Sequence, residues 1–196
     1  MRGWENPLSP GLSPGMAARY HAWRGTLAGM AIAAAGDTAA LRRMADTVAY
    51  WGERSIYGRD RRVHHYLRGL LFTAARRDDD AIREFHEAIY SPTLGFTRVN
   101  LELGRALMRQ NRAREAVAVV APALRGEVDA SNLYVTRTEL HELLAQAYDR
   151  AGDRDSAAVH YQAVVRAWGN ADEMFHARRD AAKMWLARYR LMSENR

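Results

Sequence analysis

The sequence predicts an all-α chain built from repeated helical hairpins, and three observations carry that prediction. Nine stretches place apolar residues at helical spacing, and none shows the strict alternation of a half-buried strand. Small residues recur in step: Gly29, Gly69, Gly104 and Ala145 are followed twelve positions later by Leu41, Ala81, Ala116 and Ala157. Four positions after those come Ala45, Phe85, Val120 and Tyr161, and three further on Val48, Ala88, Ala123 and Val164. A glycine inside a helix costs roughly 1 kcal/mol against alanine. Three glycines at one repeat position therefore imply close helix–helix approaches that offset the cost.

With 196 residues, the chain can form one sizeable domain or a quasi-linear array of small units. A hydrophobic content of 48% and a charged content of 27% suit a folded soluble protein. No apolar run approaches the ~18 residues needed to span a bilayer. The longest, Leu27 to Ala35, is mostly alanine and ends at Gly36-Asp37. The leading MRGWENPLSPGLSPG lacks an apolar signal core. The absence of cysteine removes disulfides and thiolate metal sites, so a cytoplasmic location is expected. The net charge is +6, nearly all of the basic residues are arginine, and Lys183 is the sole lysine. Arginine suits bidentate recognition of carboxylate or phosphate, although a GC-rich coding sequence yields the same composition. No segment is a dense basic tract, so the charge favours an acidic partner only weakly.

Taken in order, residues 1–15 hold three of the five prolines and three glycines, which predicts a flexible tail. Within it Gly11-Leu-Ser13-Pro-Gly15 matches the nucleophile-elbow pattern, but no strand precedes it to present the serine. The repeat domain is expected over 16–196. Helices over 16–35 and 38–52 form the first pair, broken by Gly36-Asp37. Those over 62–76 and 79–90 form the second, with Asp78-Asp79-Asp80 as N-cap and first-turn carboxylates. Pro92 closes it. The third pair spans 95–110 and 113–125. The fourth spans 131–150, with Ser131 as its N-cap, and 154–168. A last helix, 171–192, follows Gly169-Asn170 and serves as the solvating cap that helical arrays require. The small residues lie 40, 35 and 41 positions apart, which leaves extra residues near 52–61 and 125–133. Those insertions are candidate partner contacts or functionless drift.

The order Leu144-Ala145, Tyr148, Gly152-Asp153, Ala157 and Tyr161 resembles the tetratricopeptide repeat (TPR). The resemblance implies a right-handed α-solenoid of about four TPR-like helix pairs plus the C-terminal capping helix. It also implies a concave groove lined by the first helix of each pair. Carried onto this chain, the groove positions include Trp23 and Met30, then Tyr66 and Leu70, then Arg98, Leu101, Arg105 and Arg109, and finally Glu142 and Gln146. Such a groove runs from apolar through cationic to acidic. It fits a peptide segment with an apolar half and an acidic residue near Arg105 and Arg109, unless those arginines pair with Glu102 and its neighbours. The family's chaperone-tail clamp is not expected, because Thr26, Met30, Tyr66 and Leu70 cannot supply its lysines and asparagines. Ala171-Asp172, Arg178-Arg179 and Ala182 are similar to the ends of TPR arrays attached to bacterial kinases and transcription activators. That implies a bacterial regulatory context.

Catalysis finds little support. His141-Glu142 begins like a zinc-protease helix, but Ala145 stands where the second histidine is needed. His64 and His65 are adjacent, and His86 and His160 lie in second helices without a paired carboxylate pattern. There is no P-loop and no G-x-G-x-x-G. The expectation is a non-catalytic adaptor without cofactor or metal. The alternative is a helical-repeat nucleic-acid binder using Arg98, Arg105, Arg109, Arg178 and Arg179, against which the uneven spacing and the acidic fourth pair argue. Homo-oligomerisation through exposed aromatic ends is compatible with either.

Overall fold

A computed structural model of the protein describes residues 12–89, 97–126, 133 and 135–194. Among these, the regular structure is helical. In order it comprises α1 (Pro14–Ala34), α2 (Thr38–Arg54), a 3-10 turn (Gly58–Arg62), α3 (Val63–Ala74) and α4 (Asp78–Ala88). There follow α5 (Arg98–Arg109), α6 (Ala113–Arg125), α7 (Arg137–Ala151), α8 (Arg154–Ala167), a 3-10 turn (Glu173–Phe175) and α9 (His176–Glu194). Contacts divide the chain into two units, Met1–Tyr90 and Ser91–Arg196. In the first, α1 packs on α2, α3 packs on α4, and α1 also meets α3. In the second, α5 pairs with α6 and α7 with α8, α5 also meets α7, and α9 covers α8.

All four hairpins turn in the same way. Among the described residues, Gly36, Arg76, Asn111 and Gly152 have left-handed backbone, at φ of 78°, 59°, 58° and 88°. Each stands seven positions after one of the small residues Gly29, Gly69, Gly104 and Ala145. In each turn the next amide reaches back to a carbonyl five residues earlier: Asp37 to Ile32, Arg77 to Phe72, Arg112 to Leu107 and Asp153 to Tyr148. This is the Schellman closure, which satisfies carbonyls that the helix end leaves open. Arginine is a strained choice there, since a side chain in left-handed backbone costs roughly 1–2 kcal/mol. Arg76→Gly is expected to raise stability by about 0.5–1 kcal/mol after the added freedom of the unfolded chain is subtracted. An unchanged or lower denaturant midpoint would contradict this.

The small residues occupy the helix crossings. A Cβ on Gly69 would lie 2.3 Å from Phe85 Cε1, and one on Gly104 would lie 2.5 Å from Val120 Cγ2. Gly104 also faces Leu143 of the next hairpin, at 2.9 Å from Cδ2, and Gly29 faces Leu67 at 2.6 Å in the same relation. Leu41, Ala81, Ala116 and Ala157 are all buried. A second link recurs between residues nineteen apart. His65 bonds Glu84 at 2.7 Å, Asn100 Nδ2 donates to the Val119 carbonyl at 3.0 Å, and His141 meets His160 at 2.8 Å. Gly25 and Met44 stand at the equivalent places in the first hairpin, a Cβ on Gly25 lying 3.4 Å from Met44 Sδ. The repeat is therefore geometric as well as compositional.

Several boundaries differ from the sequence expectation. The proposed cap Ser131 lies outside the described residues, and α7 starts later, at Arg137. Its N-cap is Thr136, which forms a reciprocal capping box with Glu139 and so satisfies two helix-end donors at once. The preceding residues Leu133 and Val135 are buried, and the Leu133 carbonyl accepts from the Arg98 amide at 2.7 Å. Asp78 to Asp80 occupy the first turn of α4 but do not cap it; the N-cap is Arg77, whose side chain makes no capping bond to the helix amides. Ser13, expected in a tail, caps α1 by accepting from the Met16 amide at 3.3 Å. The last helix begins at His176, after the short turn at 173–175.

Candidate functional site

The residues expected to line a groove fall into two groups. Trp23, Tyr66 and Leu101 are buried and belong to the core. Trp23 Nε1 donates to Asp60 Oδ1 at 3.0 Å, and Tyr66 packs near Phe85 with ring centroids 6.2 Å apart. These three side chains offer no surface to a partner, because apolar groups at these helical positions are worth more between the hairpins than in water. Thr26, another groove position, is likewise buried and satisfies its hydroxyl on the Ala22 carbonyl at 2.8 Å. Met30 and Leu70 are half-buried.

The polar positions lie in the second unit. Arg98, Glu102, Arg105 and Arg109 repeat at helical spacing along one side of α5. Arg98, Glu102 and Arg105 are half-buried and Arg109 is exposed. Arg105 Nη1 bonds Glu102 Oε1 at 2.9 Å. On α7, which packs against α5, Glu142 is half-buried, Gln146 is exposed, and the Arg150 guanidinium donates to the Met108 carbonyl at 2.9 Å. The opposite side of α5 is core: Val99, Leu103, Ala106 and Leu107 are buried. The local sequence thus separates an apolar side from a charged one.

Glu142 is not an open acidic position. Arg178 of α9 clasps it with Nε and Nη2, the first contact at 2.9 Å, and stacks its guanidinium over Trp168 at 4.6 Å from the ring centre. The bond to Glu142 is the main reason the Arg178 pKa lies above its ordinary value. The fork geometry fits a carboxylate in two places at once. Arg178, a candidate for nucleic-acid contact in the alternative reading, therefore ties the last helix to α7. Beside it, Val164, Trp168 and Ala182 form a core cluster that Tyr161 and Phe175 join. Burial, then Asp149 and Glu142, pushes the Tyr161 hydroxyl up to about 12.

His141 and His160, unconnected in the sequence reading, are neighbours. Their Nδ1 atoms lie 2.8 Å apart, so one ring donates and the other accepts, and Tyr148 stacks on His160 at 5.4 Å. Burial and the second imidazole bring His160 down to about 4, and burial with Arg137 lowers His141. Both groups bind protons more weakly folded than unfolded, so this pair's stabilisation is complete above about pH 6.5. It declines as pH falls from there toward 4. His160→Phe is expected to flatten the dependence of the urea midpoint on pH across that window. A slope equal to the wild type would show that the pair does not titrate there.

Two further groupings escaped the sequence reading. Asp60 is fully buried and receives Arg19, Trp23 and the Ser55 hydroxyl, the last at 2.5 Å. His65 contacts Glu84 across the second hairpin. The first lay in a segment without periodicity, where nothing marked one carboxylate above another. The second was recoverable from the nineteen-residue spacing. Among the described residues, no group of three or more His, Asp or Glu side chains could hold a metal ion, and no helix is long and apolar enough to cross a membrane. Compared with protein-family models, with curated proteins and with solved structures, the chain matches none.

Proposed function

We propose that the chain is a non-catalytic adaptor of TPR-like design, whose hairpins stack as a right-handed α-solenoid. The partner is a protein segment carrying an acidic residue, bound on the polar side of α5 and α7. The observation that carries this reading is the paired surface of the two first helices in the second unit. Arg105, Arg109 and Gln146 reach solvent there, while the other sides of both helices are committed to the core. The common turn at Gly36, Arg76, Asn111 and Gly152 and the recurring cross-helix links support the repeat design. A partner carboxylate would compete with Glu102 for Arg105. That exchange is inexpensive, since surface pairs of this kind contribute only about 0–1 kcal/mol. The apolar half of the expected segment has less to contact than the sequence implied, because Trp23 and Tyr66 are core residues. The proposed setting is the cytoplasm of a bacterium, in a regulatory assembly.

The test is capture of partners from source lysate by the wild type and by Arg105→Glu with Arg109→Glu, with and without nuclease. The double reversal is expected to lower recovery of a specific protein at least tenfold while helicity stays unchanged. Equal recovery by both proteins would remove the α5 arginines from the binding surface. Recovery that collapses on nuclease treatment would transfer the reading to nucleic acid, whose binding also weakens steeply with salt.

A further inference from the structure

The α1–α2 face of the first unit has the physical character of an interface. Helix α1 is apolar nearly all round: in its 21 residues only Arg19 and Arg24 carry formal charge. Arg19 is committed to Asp60, at 3.1 Å. A helix with so little polar surface is ordinarily covered on most sides. Its packing partners, however, are α2, α3 and the 3-10 turn, and Leu27 and Tyr20 remain 48% and 43% exposed. Ala31 is exposed beside them, Ala28 is half-buried, and Arg24, exposed between Tyr20 and Leu27, is the single charge on that side of α1. Next round the helix a groove of about 580 Å³ opens between α1 and α2. Gly25 lies in it, and its walls include Met44, Tyr50 and Trp51. His21 stacks on Trp51 at 4.4 Å, and Tyr50 meets Trp51 edge-on at 5.0 Å. The rim carries one charge of each sign, Arg43 and Asp46, the latter 3.6 Å from Arg68 of its own chain.

We propose that a second copy of this chain covers this face, the two copies related by a two-fold axis. The Leu27 and Tyr20 of each fill the α1–α2 groove of the other. A two-fold interface must complement itself. This face meets that demand twice, with projecting side chains beside a recess and with Arg43 one helical turn from Asp46. The pairing places Arg43 of each copy toward Asp46 of the other. It also covers the part of α1 that the described residues of its own unit leave exposed. None of these residues belongs to the adaptor surface on α5 and α7, so the pairing is argued independently of it.

The measurement is the mass of the full chain by sedimentation at about 100 µM, far above the micromolar Kd of a weak but specific interface. The expected species is twice the 22.2 kDa chain. Leu27→Arg, at an exposed position, is expected to give a monomer of unchanged helicity. Arg43→Asp alone and Asp46→Arg alone are each expected to weaken pairing about tenfold, and the two together to restore it. A wild-type chain that stays monomeric at this concentration overturns the proposal. So does a dimer that Leu27→Arg and the single charge reversals leave intact, because the contact would then lie elsewhere.

Discussion

Replacing Asp60 by alanine is expected to destabilise the first unit by about 3–5 kcal/mol, the cost of stripping one partner from a buried charge pair. The carboxylate has no exposure and accepts from Arg19 through both oxygens, at 3.1 and 3.2 Å. It also accepts from Trp23 Nε1 and from the Ser55 hydroxyl. Removing it leaves a guanidinium with little access to water and an indole N–H without a partner. Neither loss is repaid by the small apolar side chain that remains. The same carboxylate joins α1 to the turn at 58–62, so its loss also frees the link between α2 and α3. A thermal midpoint lower by about 10 °C or more is the expected reading. Asp60→Asn should fall between, since it can still accept from Trp23 but cannot balance Arg19. A midpoint within about 1 °C of wild type for the alanine variant would mean that the pair adds nothing net, as some buried ion pairs do.

In the second unit the expected loss is comparable for Ala157→Arg. Ala157 is fully buried in α8, at the position twelve residues after Ala145, which is itself fully buried. An arginine there must either hold an unpaired charge away from water or push α7 and α8 apart, and each alternative costs several kcal/mol. Gly104→Leu is the companion test by volume rather than charge. Even a Cβ at that position meets Val120 and Leu143 at 2.5 and 2.9 Å, so a leucine should cost about 1–3 kcal/mol through displaced neighbours. Unchanged unfolding midpoints in both variants would show that these positions do not lie at the helix crossings. The double reversal at Arg105 and Arg109 probes the same unit from its polar side and should leave its stability nearly untouched, which separates folding from binding.

Much of the helical framework was legible because its signals are local. Periodicity marked the helices, and Gly36-Asp37 and Gly152-Asp153 marked two of the hairpin turns. The other two turns use Arg76 and Asn111 in the same conformation. Nothing in a single arginine announces left-handed backbone, so the expected helix over 62–76 ran through Arg76, and only Asp78-Asp79-Asp80 signalled the next helix. The start of α7 was misjudged because Ser131 competes with Thr136 as a cap. Only Thr136 has a glutamate three residues later to close the box. The candidate groove was legible only in part. The resemblance implied that Arg98, Arg105 and Arg109 line a groove, but it could not say how deeply Trp23, Tyr66 and Leu101 would sink. Burial depends on what packs opposite, and the opposite residue lies tens of positions away.

The sequence by itself determined the helices, their pairing into hairpins and the small residues at their crossings. Each of these follows from backbone preference and from side chains within about a turn or two of one another. The tertiary structure alone decided that Asp60 anchors the first unit, that Arg178 takes Glu142 from the candidate groove, and that His141 meets His160. Those contacts join residues nineteen to forty-one positions apart. A charged side chain finds its partner through space, and one sequence offers many carboxylates and arginines of equal chemical standing. Packing chooses among them, because only the pair that leaves water together can repay the cost of leaving it.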